Sequence, residues 1–316
     1  MNSKAIPPPS PSISTGWVDL QVNGYAGVDF SGPGLTLDQV RQVVHVLLGL
    51  GTTAFCPTVI TSPEAIYRRN LQVLAQAVED PELAPHLLGI HLEGPFISPL
   101  DGARGAHSRA DVLAPSISFL RQLYEWAQGH VSMLTLAPEL PDSLELIHLA
   151  RSLGIVVALG HHLADRETIR RACDAGASLA THLGNGIPNM LPRHPNPIWD
   201  QLAEERLRIS LITDGHHLQE SFLQVCWRIA GIDRLLLVSD SAPIAGFAPG
   251  EYSNLGQQVR LEENGKLWNP IGNHLVGSSC CLAQCVHYAG QVLPLSSMER
   301  QAIARTNALR VIGKGE

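Results

Sequence analysis

The amino-acid sequence predicts an α/β chain whose eight strands close into a (β/α)8 TIM barrel. Three observations carry this expectation. Short apolar, β-branched runs recur along the 316 residues. Segments of helical period separate them, punctuated by cap residues, proline and glycine. The runs are continuous (IVVALG, LLLVSD), not alternating, as expected of parallel strands covered on both faces. A doubly wound open sheet is the alternative, and the lack of GxGxxG after the first run weighs against it.

Residues 1–16, rich in Pro and Ser, are expected to form a disordered tail, and 17–316 a single barrel domain. Strands are expected near Trp17–Asn23, Thr52–Ile60, Leu87–Glu93, Val131–Pro138, Ile155–Gly160, Leu179–His182, Ile209–Thr213 and Leu235–Ser239. Thr36 should cap Leu37–Leu50, where Leu37, Val40, Val44, Leu47 and Leu48 share a face, and Gly51 ends the run. Ser62-Pro63 opens the second helix with an N-cap and a proline at its first position. Asp142 should cap Ser143–Leu153, and Asp165 should cap Arg166–Ala175; Gly154 and Gly176 stop these helices. Gly250–Gly277 breaks the rhythm. Its Tyr252, Val259, Leu261, Leu267 and Leu275, around the turn Glu263-Asn264-Gly265, predict a β-hairpin inserted after strand 8. Two helices, near Ser278–Gly290 and Ser297–Val311, follow.

Apolar residues make up 45% of the chain and charged residues 16%, enough for a sizeable core without disulfide or metal staples. The 22 basic and 29 acidic residues give a net charge of -7, with no basic cluster, so no nucleic-acid partner is expected. Small anions stay open, because one arginine or helix N-terminus can hold a phosphate. The N-terminus lacks the apolar stretch of a secretory signal, and no run reaches the ~20 apolar residues of a membrane helix. Six cysteines without a CxxC pair read as free thiols. A cytoplasmic protein without membrane contact is expected.

In such a barrel the chemistry sits at the C-terminal strand ends. Here those ends read Gln21-Val22-Asn23, His91-Leu92-Glu93, Gly160-His161-His162, Thr181-His182, Thr213-Asp214-Gly215-His216-His217 and Ser239-Asp240-Ser241. A buried carboxylate or imidazole without a partner is costly. Several at one rim point to a shared partner, a divalent metal being the simplest. His161 and His182 end neighbouring strands, with Glu93 across the mouth. Two imidazoles and a carboxylate with an open position form a hydrolytic zinc-type set. Such an ion brings the pKa of a bound water towards ~7. Asp240 could take the water's proton and hand it to a leaving amine. From the residues alone a second assignment stands beside each of these. A lone histidine can be framework, Asp240 a helix N-cap, and Glu93 the partner of an arginine.

The motifs DLQVNG, GTTAFCPTVITS, GIHLEGPFI followed by GAH, TLAPE, GHH, THLGNGIP, DGHH and LVSDSAPIAG stand in that order. Together, from about residue 16 onward, they resemble the N-acetylglucosamine-6-phosphate deacetylases of the amidohydrolase superfamily. The resemblance implies that Glu93, His161 and His182 are metal ligands and that Asp240 is the catalytic acid/base. It implies that His107 meets the sugar and the acetamide carbonyl. Asn185 and Gly186 match an asparagine–alanine pair that meets the phosphate, and His217 the histidine of a DG-x-H motif. Arg193 matches an arginine that reaches the phosphate of the neighbouring subunit, which implies a homodimer. The implied reaction is hydrolysis of the acetamide of N-acetyl-D-glucosamine 6-phosphate to glucosamine 6-phosphate and acetate. A different N-acetyl-hexosamine phosphate, another N-acylated amine, or an inactive binding descendant are the alternatives.

Four departures from the family pattern stand out. The superfamily's first-strand HxH is here Gln21-Val22-Asn23; neutral amides are poor zinc ligands, and the resemblance to deacetylases that share QxN and hold one metal implies one divalent ion per chain, zinc or alternatively iron. His162 replaces a small Ser or Thr. Gly184 and Gly186 make the phosphate loop smaller. Family members also carry longer flanks that pair into a small β-sandwich. This chain has 16 residues before Trp17 and six after Arg310, so no β-sandwich domain is expected.

Overall fold

The structure, a computed structural model, describes residues 16–314; residues 1–15 of the expected tail lie outside the described residues. Eight parallel strands run in chain order: β1 (Trp17–Val22), β2 (Thr52–Ile60), β3 (Ile90–Glu93), β4 (Val131–Leu136), β5 (Val156–Leu159), β6 (Ala177–Ala180), β7 (Arg208–Ile212) and β8 (Leu235–Val238). Helices α1 (Leu37–Gly49), α2 (Glu64–Glu79), α3 (Ile117–Trp126), α4 (Ser143–Ser152), α5 (Arg166–Ala175), α6 (Pro197–Leu202) and α7 (Glu220–Arg234) alternate with them. Beyond the end of β8, Asp240 N–H donates to Gln21 O and Asn23 N–H to Ser241 O, each at 3.0 Å. These bonds bring the last strand to the first and leave a nearly closed barrel, the architecture of a TIM barrel.

The helix starts follow local chemistry. Thr36 and Gln39 form a reciprocal capping box at α1. Asp165 accepts the Thr168 N–H at 2.9 Å and caps α5. Two starts differ from expectation. Pro63 is itself the N-cap of α2, and the Ser62 hydroxyl donates to Ile60 O instead of capping. Asp142 precedes α4 in a left-handed conformation (φ 63°) and makes no cap bond.

Beyond β8 the chain forms a four-stranded antiparallel sheet where a single hairpin was expected: β9 (Gly250–Asn254), β10 (Gln257–Leu261), β11 (Leu267–Asn269) and β12 (His274–Leu275). Val259, Leu261 and Leu267 pack with Ala242, Ile244 and Val276 on its inner face. Helix α8 (Leu282–Val292) follows. The segment expected as one helix over Ser297–Val311 contains a π-helical stretch at Ala302–Thr306.

The main core lies between strands and helices, and a second buried cluster fills the lower barrel with Val18, Leu20, Ala54, Cys56, Met133, Ala158 and Val238. Leu309, Val311 and Ile312 pack against it. A register irregularity between Asp19 and Val22 lets Leu20 join this apolar cluster while Gln21 and Asn23 reach the carboxylates at the mouth. A polar layer lies towards the mouth. His91 Nε2 is 2.8 Å from Thr135 Oγ1, which is 2.9 Å from Thr181 Oγ1. Burial pushes His91 down to about 4, so it stays neutral. Among the described residues no helix is long and apolar enough to cross a membrane.

Asp19 yields a stability prediction. It is buried and accepts the backbone N–H groups of Gln21 and Ser239. Burial nevertheless pushes its carboxyl from 3.8 up to about 7. Its contribution to stability is therefore full below the unfolded value and is lost as pH rises through about 7. The gap corresponds to a change on the order of 4 kcal/mol. Urea melts between pH 4 and pH 8 should show this decline, and Asp19→Asn should flatten it.

Candidate active site

Three ligand-type side chains from separate strand ends converge at the mouth. His182 Nε2 lies 2.9 Å from Glu93 Oε1, His161 Nε2 lies 3.3 Å from the same oxygen, and the two imidazole nitrogens are 3.1 Å apart. All three residues are buried, and their ligand atoms lie within 4.8 Å of one another. Glu93 closes β3, while His161 and His182 follow β5 and β6 in left-handed backbone (φ 53° and 30°). Asp240, after β8, shares that conformation (φ 49°). Such strained positions collect at functional sites.

The hydrogen bonds around the cluster fix its chemistry. His161 Nδ1 is 3.0 Å from Ala103 O, and a carbonyl only accepts, so Nδ1 carries the proton and Nε2 presents its lone pair towards Glu93 and His182. Burial opposes the charge on Glu93, but the His161 and His182 imidazoles beside it outweigh burial and hold the carboxyl well below the ordinary range. Gln21 Nε2–H donates to Glu93 Oε1 (2.8 Å) and to Asp240 Oδ1 (3.0 Å), and Asn23 Nδ2–H donates to the same Asp240 oxygen (2.7 Å). The two first-strand amides thus serve both carboxylates as donors. Burial, and then repulsion from Glu93, pushes the Asp240 carboxyl up.

His107 sits beside this group, its Nε2 3.7 Å from Glu93 Oε2. Burial, and then the nearby His161, pushes His107 down to about 3, so it is neutral at working pH. His217 donates from Nδ1 to Asp214 Oδ2 at 2.7 Å. Burial would raise Asp214, but His217 outweighs it and holds that carboxyl down at about 2. The motif TDGHH was visible in the sequence. The pairing of its aspartate with its second histidine was not.

A cavity of about 660 Å³ opens over the cluster and is lined by Glu93, His107, His161, His182, Asn185, Gly186, His217 and Asp240. The lining also takes in Lys266, just before β11, and Trp268 and His274 of the antiparallel sheet. Arg193 is exposed and is not part of this lining. His162 is buried outside the lining, its Nδ1 accepting the Ala164 N–H at 3.1 Å, so it makes no contact with the cavity. Gly186 has a local reason. Its φ is +60°, and a Cβ there would stand 2.7 Å from His161 Nδ1, so the alanine of the family pattern would crowd a ligand ring.

No family model matches the chain. Among curated proteins it is 35% identical to the N-acetylglucosamine-6-phosphate deacetylase of Bos taurus, over 95% of this chain and 74% of that protein. It is 33% identical to the N-acetylgalactosamine-6-phosphate deacetylase of Shewanella sp. (strain ANA-3), again over 95% and 74%. Among solved structures, the N-acetyl-D-glucosamine-6-phosphate deacetylase of Mycobacterium smegmatis, in complex with N-acetyl-D-glucosamine-6-phosphate, superposes with a TM-score of 0.87 at 26% identity, covering 95% of this chain and 77% of the other. Fold, site and relatives define an α/β-barrel hydrolytic enzyme with a ligand-type cluster at its C-terminal mouth. The relatives cover almost the whole of this chain and carry deacetylase names. The chain belongs to the N-acetylglucosamine-6-phosphate deacetylase family.

Proposed function

We propose that this chain is a metal-dependent deacetylase that hydrolyses the acetamide of N-acetyl-D-glucosamine 6-phosphate, releasing glucosamine 6-phosphate and acetate. The observation that carries the reading is the meeting of Glu93, His161 and His182 beside Asp240 at the mouth of a barrel of this family. The donor set fits one divalent ion. It offers an ionised carboxylate and an imidazole whose Nε2 lone pair is set by Ala103, while both first-strand amides are occupied as donors. Zinc or iron suits such a set, and bound there it supplies the positive charge that acidifies a water and polarises the amide carbonyl.

The protein's own groups do the rest. His107, neutral, offers a ring N–H to the carbonyl oxygen as charge develops there. Asp240 accepts the proton of the attacking water and returns it to the departing nitrogen. Asn185, the Gly186 backbone and His217 hold the phosphate, and the energy of that contact orients the amide. Arg193 serves a neighbouring subunit's site in a cytoplasmic homodimer; its exposure outside its own cavity supports this. A second reading, N-acetyl-D-galactosamine 6-phosphate as substrate, is favoured by the Shewanella relative.

The test is direct. Purified chain should hold about one zinc or iron and release acetate from one of the two phosphorylated sugars. Two ions per chain would refute the reading of the first-strand amides, and no release from either sugar would refute the function. Arg193→Ala should raise KM about tenfold or more for the phosphorylated sugar and barely alter it for the unphosphorylated one.

A further inference from the structure

The end of β2 has so far taken no part in the site, although Ile60-Thr61-Ser62 reaches the same mouth. Thr61 is buried there. Its hydroxyl oxygen lies 2.8 Å from His107 Nδ1, and its backbone N–H donates to that same nitrogen at 3.4 Å. A backbone N–H can only donate, and at 3.4 Å it is a weak second donor that marks where the Nδ1 lone pair lies; the hydroxyl, at 2.8 Å, is the donor that holds it. In a neutral imidazole the proton then resides on Nε2, the nitrogen 3.7 Å from Glu93 Oε2. The opposite tautomer would turn a lone pair towards that carboxylate and an N–H against the Thr61 amide.

The preceding motif makes room for this contact. Gly94 has φ +85°, and a Cβ there would stand 2.2 Å from Thr61 Oγ1. The glycine of HLEGP thus leaves the space that the threonine hydroxyl needs to reach His107.

We propose that Thr61 is a positioning residue that locks His107 in its Nε2–H tautomer, so that an N–H and not a lone pair faces the carbonyl oxygen of an N-acetylated substrate. This rests on the deacetylase reading given above. Thr61 touches no substrate and acts only through the imidazole.

The variant Thr61→Val keeps the shape and the backbone N–H but removes the hydroxyl. In the zinc-loaded protein kcat should fall about tenfold while KM stays within about twofold. Thr61→Ser should restore kcat, which a loss of packing alone would not predict. Independently of activity, 15N NMR of the ring nitrogens, with His107→Gln to assign the signals, should show His107 protonated at Nε2 in the wild type and mixed in Thr61→Val. A wild-type spectrum with the proton on Nδ1, or Thr61→Val with unchanged kcat, overturns the proposal. A wild type that releases no acetate from either sugar defeats the deacetylase reading, while the spectrum still decides the tautomer.

Discussion

Replacing Asp240 by asparagine should cut turnover by at least ~100-fold and leave the metal content unchanged. The geometry makes this substitution clean. Asp240 Oδ1 receives two amide donors, from Asn23 at 2.7 Å and Gln21 at 3.0 Å. An asparagine oxygen can accept both, so the seam and the orientation survive. With Oδ1 occupied, the proton in transit belongs on Oδ2, and an amide NH2 there cannot accept one. The pH profile supplies a second reading of the same group. Asp240 must be ionised to act as a base, and burial, then repulsion from Glu93, raises its carboxyl above the usual range. The acidic limb of kcat/KM should therefore lie above 3.8, the ordinary aspartate value, and activity should be lost as pH falls through it. Steady-state kinetics across pH, with metal analysis of each sample, checks both points; near-normal turnover by the variant would reject the role.

Glu93→Gln should have the other large effect, by a different route. The wild-type carboxylate is buried and held ionised by His161 and His182. An amide keeps the volume but loses the charge, and neutral amides bind zinc-type ions poorly. Metal content should drop from about one ion per chain to below about 0.1, and turnover with it by ~1000-fold or more. The thermal midpoint of the wild type should rise on adding zinc and fall with a chelator, because an ion that binds only the folded form stabilises it. The variant should show neither response. A variant that still held stoichiometric zinc would remove Glu93 from the ligand set.

The two predictions act on residues whose type and place could be read from the sequence, and the reason is physical. A charged or imidazole residue directly after an apolar run must meet something polar where the strand ends. Glu93, His161, His182 and Asp240 each announced themselves in this way. What stayed hidden depends on who meets whom in space. Gln21 and Asn23 read as poor ligands, but their service as donors to Glu93 and Asp240 needs the register irregularity in β1. Thr61 bonds a histidine 46 positions away, and Asp214 bonds His217 within one motif, a pairing that the motif's residue types do not specify. In the fold, the turn at Glu263-Asn264-Gly265 was legible as turn chemistry. The turns around Leu255 and Asn273, both non-glycine residues at φ near 50°, gave less warning, so four strands read as two. Asp142 failed as a cap because its left-handed backbone gives its side chain no cap bond to make.

The joint between the first and eighth strands has a consequence for how the molecule becomes competent. Gln21 and Asp240 are separated by 219 positions, and both their backbones and their side chains bond across that joint. Contacts so remote along the polypeptide carry a large loop-closure entropy that only the finished ring repays. The carboxylate assigned to proton transfer thus finds its place only when the circle of strands is zipped shut. A half-assembled intermediate would be chemically silent, and the onset of acetate release during refolding would time that final zipping.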